Sequence, residues 1–307
     1  MNRNLGYWHC LDSVKGLGPS RFKSLLLLFK TPNEVYKLSR EQIFCIKGID
    51  EKIADAFIES KDKLNQCITK MDEELRKAES LDASILTLND KEYPVALKET
   101  NVCPPLLFFK GSTSLLNKTT KTIGIVGTRQ VGSYGASVAL SLSKELAGAG
   151  WTIVSGMAKG TDSLAHRGAI ECGGKTFAVL GCGVDVIYPP EAKDLYSKIL
   201  QHGGIFSEYS FGTKINDLNL KKRNKITVGL SRAVVIIETS DKGGTMNAVT
   251  AAFEQKKQIF VLVPKDRNNP HVAGNLKLIE EGKVIPITEA NAFSIINKSL
   301  SVYEKED

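Results

Sequence analysis

The sequence predicts an α/β protein: a doubly wound, mostly parallel Rossmann-like sheet, preceded by an all-helical segment of the SAM-like or helix-hairpin-helix kind. Three observations lead there. From Thr122 onward short apolar runs alternate with amphipathic stretches, the pattern of βαβ units. The runs are apolar throughout, as strands covered on both faces are. Before them, residues 1–75 carry helical rather than strand periodicity.

Taken in order, Ser20 to Phe29 places apolar residues at helical spacing until Pro32 interrupts. Ser39 is a fitting N-cap for a helix over Arg40 to Ile46, because its hydroxyl can accept an unpaired backbone N–H. Glu51 to Glu59 is another short amphipathic piece. Val14-Lys15-Gly16-Leu17-Gly18 and Ile46-Lys47-Gly48-Ile49-Asp50 resemble one another as Gly-containing turns between helices. Such turns can grip a phosphate through backbone N–H groups, or simply make tight helical corners. Residues 76–120 read as a connector with strands at Ala83 to Leu88 and Leu106 to Lys110, broken by Tyr93-Pro94 and Pro104-Pro105.

Strands are then expected at Ile123 to Val126, Trp151 to Val154, Thr176 to Leu180, Ile205 to Glu208, Ala233 to Ile237 and Ile259 to Val263. Helices fall at about Tyr134 to Ala149, Asp162 to Cys172, Ala192 to Gln201 and Ala248 to Gln255. Right-handed crossovers wind such a series doubly. The expected division is 1–75 helical, 76–298 Rossmann-like with 76–120 as its N-terminal extension, and a polar, frayed tail over 299–307.

Composition narrows the function. Hydrophobic residues at 42% and charged residues at 24% exclude a wholly disordered chain. The excess of 41 Lys and Arg over 34 Asp and Glu, +7 in all, favours an anionic partner. Six scattered cysteines, with no C-x-x-C and no His-rich segment, argue against a metal site and for thiols in a reducing cytoplasm. No h-region opens the chain, and Leu25 to Phe29 is too short to cross a bilayer.

In a doubly wound sheet, ligands sit where the strands end and helices begin. After the first strand come Gly127-Thr128-Arg129 and Gly132-Ser133-Tyr134-Gly135, an anion-binding loop with neither dinucleotide nor Walker A spacing. After the second comes Ser155-Gly156-Met157-Ala158-Lys159-Gly160-Thr161-Asp162, a second anion nest. Asp162 and His166 share a helical face there, as a metal or acid/base pair or as internally bonded groups. After the third, Gly181-Cys182-Gly183 brings backbone to the rim, and Cys182 has no activating neighbour in sequence. Leu220-Lys221-Lys222-Arg223-Asn224-Lys225 is a cationic run, taken as a loop, and Lys242-Gly243-Gly244-Thr245-Met246-Asn247 leads into a further helix. No Ser-His-Asp set, carboxylate pair or metal cluster is present in sequence, so no catalytic residue, metal or cofactor is expected.

Together these motifs resemble the DprA/Smf family of DNA-processing proteins. Gly127-Thr128-Arg129 with Tyr134-Gly135 is similar to its G-[ST]-R…Y-G. Ser155 to Asp162 with Ala165-His166 is similar to S-G-x-A-x-G-x-D-x-x-A-H. Gly181-Cys182-Gly183 with Tyr188-Pro189, then Ser207-Glu208-Tyr209, follow in the family's order. Arg223-Asn224-Lys225-Ile226 with Gly229-Leu230-Ser231 resembles R-N-R-x-I…G-L-S, and Gly274-Asn275 with Ile279 and Gly282 resembles the terminal signature. The motifs run over residues 123–283, and the helical segment and connector fit as well.

The resemblance implies a non-enzymatic, homodimeric protein that binds single-stranded DNA, protects it during natural transformation and loads the RecA recombinase on it. On the physical reading of the rim, backbone phosphate contacts are expected from Arg129, Lys159, Arg223 and Lys225, with Thr128, Ser155 and Lys242 also placed in the DNA- or phosphate-binding set. Close approach would come at Gly127, Gly156, Gly160 and Gly243, and Asn224 would touch a base edge or orient a loop. Tyr134 and Tyr188 are open between base stacking and packing. Two departures stand out: Leu220-Lys221 replaces the family's Phe-Pro, and Lys242 to Ala248 replaces its S-G-S-x-x-T-A. An alternative is a nucleotide sensor or hydrolase of the same superfamily, but the Glu expected just after Thr245 is missing. A pure protein-interaction scaffold is a third option.

Overall fold

A computed structural model describes residues 5–112 and 121–301. Six helices open the chain: α1 (Leu5–Asp12), α2 (Gly18–Phe29), α3 (Pro32–Val35), α4 (Arg40–Phe44), α5 (Glu51–Asp62) and α6 (Leu64–Ser80). Ser39 caps α4 as expected, within a reciprocal capping box with Gln42. The two glycine turns lie side by side, because Arg21 donates to the carbonyl of Gly48 through Nε at 2.7 Å and to that of Gly16 through Nη1 at 3.0 Å. In the second turn Asp50 accepts from Ile53 N at 2.9 Å, so its own carboxylate occupies the start of α5.

A nine-stranded sheet follows. Its strands are β1 (Ala83–Thr87), β2 (Leu106–Gly111), β3 (Thr122–Val126), β4 (Thr152–Ser155), β5 (Thr176–Val179), β6 (Gly203–Ser207), β7 (Ala233–Ile236), β8 (Gln258–Leu262) and β9 (Ile285–Ile287). They lie in the order β1-β2-β6-β5-β4-β3-β7-β8-β9. All neighbours are parallel except β1 with β2 and β2 with β6. The connector strands thus extend one edge of the parallel sheet in antiparallel fashion. The order reverses between β3 and β7, which makes their C-terminal ends the switch point.

The remaining helices are α7 (Val95–Lys98), α8 (Ser133–Gly148), α9 (Thr161–Glu171), α10 (Lys193–His202), α11 (Asp217–Gly229), α12 (Met246–Glu254), α13 (Ala273–Glu280) and α14 (Ala292–Ser301). Three expectations change. The cationic run 220–225 is not a loop: it lies inside α11, which Asn216 starts by accepting from Asn219 N at 2.8 Å. The division at residue 75 falls within α6, and α14 carries the chain through Ser301, past the expected start of the tail. Residues 302–307 lie outside the described residues.

One apolar cluster joins the two parts of the molecule. It runs from Leu11, Phe22 and Phe57 in the helices through Leu107 and Phe109 of β2 to Val179 and Phe206 of the sheet. Glu74 of α6 reinforces the junction: its buried carboxylate accepts from Phe211 N at 2.9 Å and pairs with Lys77 at 2.9 Å. No helix among the described residues is long and apolar enough to cross a membrane.

Candidate functional site

A cavity of about 560 Å³ opens at the switch point. Four strand ends and α11 furnish its wall. Gly127, Thr128 and Arg129 come from the loop after β3, Ala158 from that after β4, and Asp162 from the first turn of α9. Lys221, Arg223 and Asn224 come from α11, Thr239, Gly243 and Gly244 follow β7, and His271 follows β8.

Backbone bonds tie these loops to one another. Thr128 N donates to Glu238 O at 2.8 Å, and Gly132 N donates to the buried Glu238 carboxylate at 2.8 Å. Thr161 Oγ1 and Thr161 N both donate to Thr128 O, at 3.2 and 3.3 Å. Gly160, which precedes α9, sits at φ +81, where a side chain would be strained and a Cβ would press on the carbonyls of Thr128 and Arg129. The site is therefore a fixed frame rather than three independent loops.

The two arginines of the cavity differ in kind. Arg129 is exposed and makes no ion pair with any described residue. Arg223 is 5% exposed and lies 3.7 Å from Asp162, itself buried. Arg223 Nε and Nη1 are buried without a hydrogen-bond partner among the described residues. Its guanidinium rests on the turn after β4 so closely that a Cβ on Gly156 would collide with it. That explains the glycine better than approach to a ligand does. Burial lowers the Arg223 pKa, with Asp162 opposing that shift. Burial raises that of Asp162, opposed by Arg223 and by hydrogen bonds from the Ala158 and Gly156 backbone.

The remaining expected residues divide. Gly127, Thr128, Arg129, Arg223, Asn224 and Gly243 line the cavity. Ser155 is buried, and its hydroxyl donates to Ile125 O at 2.6 Å, so it faces inward rather than toward a ligand. Lys159 and Lys242 are exposed beside the cavity without lining it. Lys225 points elsewhere along α11 and pairs with Glu254 at 3.2 Å. Asp162 and His166 are both buried. His166 Nδ1 meets Thr176 Oγ1 at 2.6 Å, and burial, with a smaller effect from Arg223, pushes the imidazole pKa down to about 3. The pair is thus internal, and no metal-binding group of three His, Cys, Asp or Glu occurs among the described residues. Cys182 is buried with its thiol raised to about 11, chiefly by that burial. Tyr134 lies under Lys265, whose Nζ is 4.1 Å from the ring centre, and Tyr188 packs against the core.

Sequence reading passed over Asp217, Thr239 and His271. The signal for His271 was present, since it follows a strand at the same rim, behind an Asn269-Pro270 turn.

This fold and cavity define a Rossmann-like protein whose switch point opens into a cavity lined in part by arginine and lysine side chains. The chain matches the family model described as DNA recombination-mediator protein A over residues 84–297, and it belongs to that family, the DprA/Smf proteins. It is 32% identical over 290 residues to Protein Smf of Synechocystis sp., covering 94% of this chain and 71% of that one. It is 35% identical over 222 residues to DNA processing protein DprA of Bacillus subtilis, covering 72% and 74%. The structure is similar to DprA of Streptococcus pneumoniae, with a TM-score of 0.74 and 27% identity over 94% of this chain and 97% of that chain. It is also similar to DprA of Helicobacter pylori, described for its single-stranded DNA binding mode, with a TM-score of 0.64 and 30% identity over 71% and 97%.

Proposed function

We propose that this chain binds single-stranded DNA at the strand C-terminal rim, with the phosphate backbone seated in the switch-point cavity. The observation that carries this reading is the exposed, unpaired Arg129 at a cavity bordered by glycine turns and backed by the buried charge of Arg223. A phosphate there meets an arginine fork at the mouth and the field of a second below it. The relationship to the Helicobacter pylori protein, characterised with single-stranded DNA, supports the same ligand.

In this reading Gly127, Thr128, Arg129, Asn224 and Gly243 face the strand. Ser155, Gly156 and Gly160 hold the frame, and Lys159, Lys225 and Lys242 add charge around it. The protein acts in DNA processing in the cytoplasm, as a homodimer that shields incoming single strands and loads the RecA recombinase on them. It does so without a cofactor or covalent chemistry.

The test is fluorescence anisotropy of labelled oligo-dT and of a matching duplex across a salt series. Tight, salt-sensitive binding that favours the single strand is expected. Absence of binding at low salt overturns the reading.

A further inference from the structure

Among the residues lining the cavity, His271 is the one that carries an aromatic ring. The two tyrosines suggested by sequence are engaged elsewhere, and Leu220-Lys221 stands where the family resemblance implied an aromatic. Single-stranded nucleic acids are held by phosphate contacts together with stacking of bases on flat side chains, histidine included. If the cavity takes a DNA strand, the stacking half must come from an unexpected place.

His271 is built for it. Asn269 Oδ1 accepts from its backbone N at 2.9 Å, and Pro270–Val272 forms a 3-10 turn whose Val272 is buried. Gly274 N then anchors to Thr239 O at 2.9 Å. The backbone is fixed on both sides, while the imidazole is half-exposed and makes no hydrogen bond or ion pair with any described residue. Nearby, Asn224 and Asn247 both donate to Gly244 O, at 3.3 and 3.0 Å. That leaves their amide oxygens as acceptors for a base edge.

We propose that His271 is the platform on which one base of the bound strand stacks. The cavity then holds a whole nucleotide, with phosphate at Arg129 and base against the imidazole. The inference rests on the single-stranded DNA reading above. It predicts binding that depends on bases as well as charge, in a volume within the usual range of small-molecule sites.

The test compares the full-length wild type, His271→Ala and His271→Phe on labelled oligo-dT and on an abasic oligonucleotide of equal length. With stacking, His271→Ala weakens binding to oligo-dT by about five- to tenfold at unchanged salt slope and barely alters binding to the abasic chain. His271→Phe restores oligo-dT binding. Equal affinity of wild type and His271→Ala for oligo-dT overturns the proposal, as do equal losses on both oligonucleotides. Wild-type protein that binds neither oligonucleotide overturns the single-stranded DNA reading itself.

Discussion

Two arginines border one cavity, and they are there for different reasons. Arg129 stands in solvent on a loop whose backbone is bonded to its neighbours. Arg223 lies under the turn after β4, beside a carboxylate, with two buried nitrogens that have no hydrogen-bond partner among the described residues. A cation in water is available to a phosphate at little cost. A buried one is held by its carboxylate, and its loss strands that carboxylate. The contrast teaches that membership of a cationic motif does not establish a shared role: one arginine is open to solvent at the cavity, the other is packed between the loops that frame it.

The comparison can be broken most directly at Arg223. Replacement by Ala leaves Asp162 buried without its cation and should lower stability by about 3 kcal/mol, read as a shift in urea midpoint. A variant as stable as the wild type that merely binds DNA less well would place Arg223 with Arg129 after all. Next in size is a pH effect from the same buried layer. His166 is neutral in the fold, with a pKa of about 3 against about 6.5 when unfolded. Its stabilisation is complete above the unfolded value and is lost as pH falls toward the folded one. Between pH 7 and pH 5 this group should cost about 2 kcal/mol. His166→Gln should flatten that part of the urea-derived pH profile, and an unchanged slope would mean the imidazole is not held neutral.

Arg129→Ala sharpens the other arm. Stability should stay within about 0.5 kcal/mol of wild type, as for most surface changes. Single-strand binding should weaken by about 1.5 kcal/mol, and the salt slope should fall by about one. Lys225→Ala should do least, because its ammonium is half-exposed and engaged with Glu254. A change in binding below about 0.5 kcal/mol is expected by the same titration. A loss as large as that of Arg129→Ala would extend the DNA track along α11.

Sequence reading recovered the strands from β1 to β8 because they are short apolar runs with no competing periodicity, as in Ile123 to Val126 and Ala233 to Ile236, and it missed the three-residue edge strand β9, which Pro286 interrupts. It recovered the rim for a topological reason, since helices begin where parallel strands end. It failed at α11, whose buried face combines Arg223 with Ile226 and Thr227 and so shows no apolar stripe. The burial of Arg223 was not legible at all. It depends on Gly156 and Asp162, more than sixty positions earlier, which only the strand order brings alongside. His271 was missed because its loop carries charges of both signs, in Lys265-Asp266-Arg267, and no glycine before Gly274, so neither the glycine-rich nor the cationic signal used for the other loops marked it.

The apolar cluster that runs from the opening helices into the sheet bears on how the molecule comes apart. Phe22 and Phe57 belong to the same packed body as Phe109 and Phe206, and Glu74 bonds across the junction. Heating should therefore melt the two parts together in a single calorimetric peak. A chain trimmed of its opening helices should lose cooperativity at the β1–β2 edge, far from the cavity, before it loses its grip on DNA.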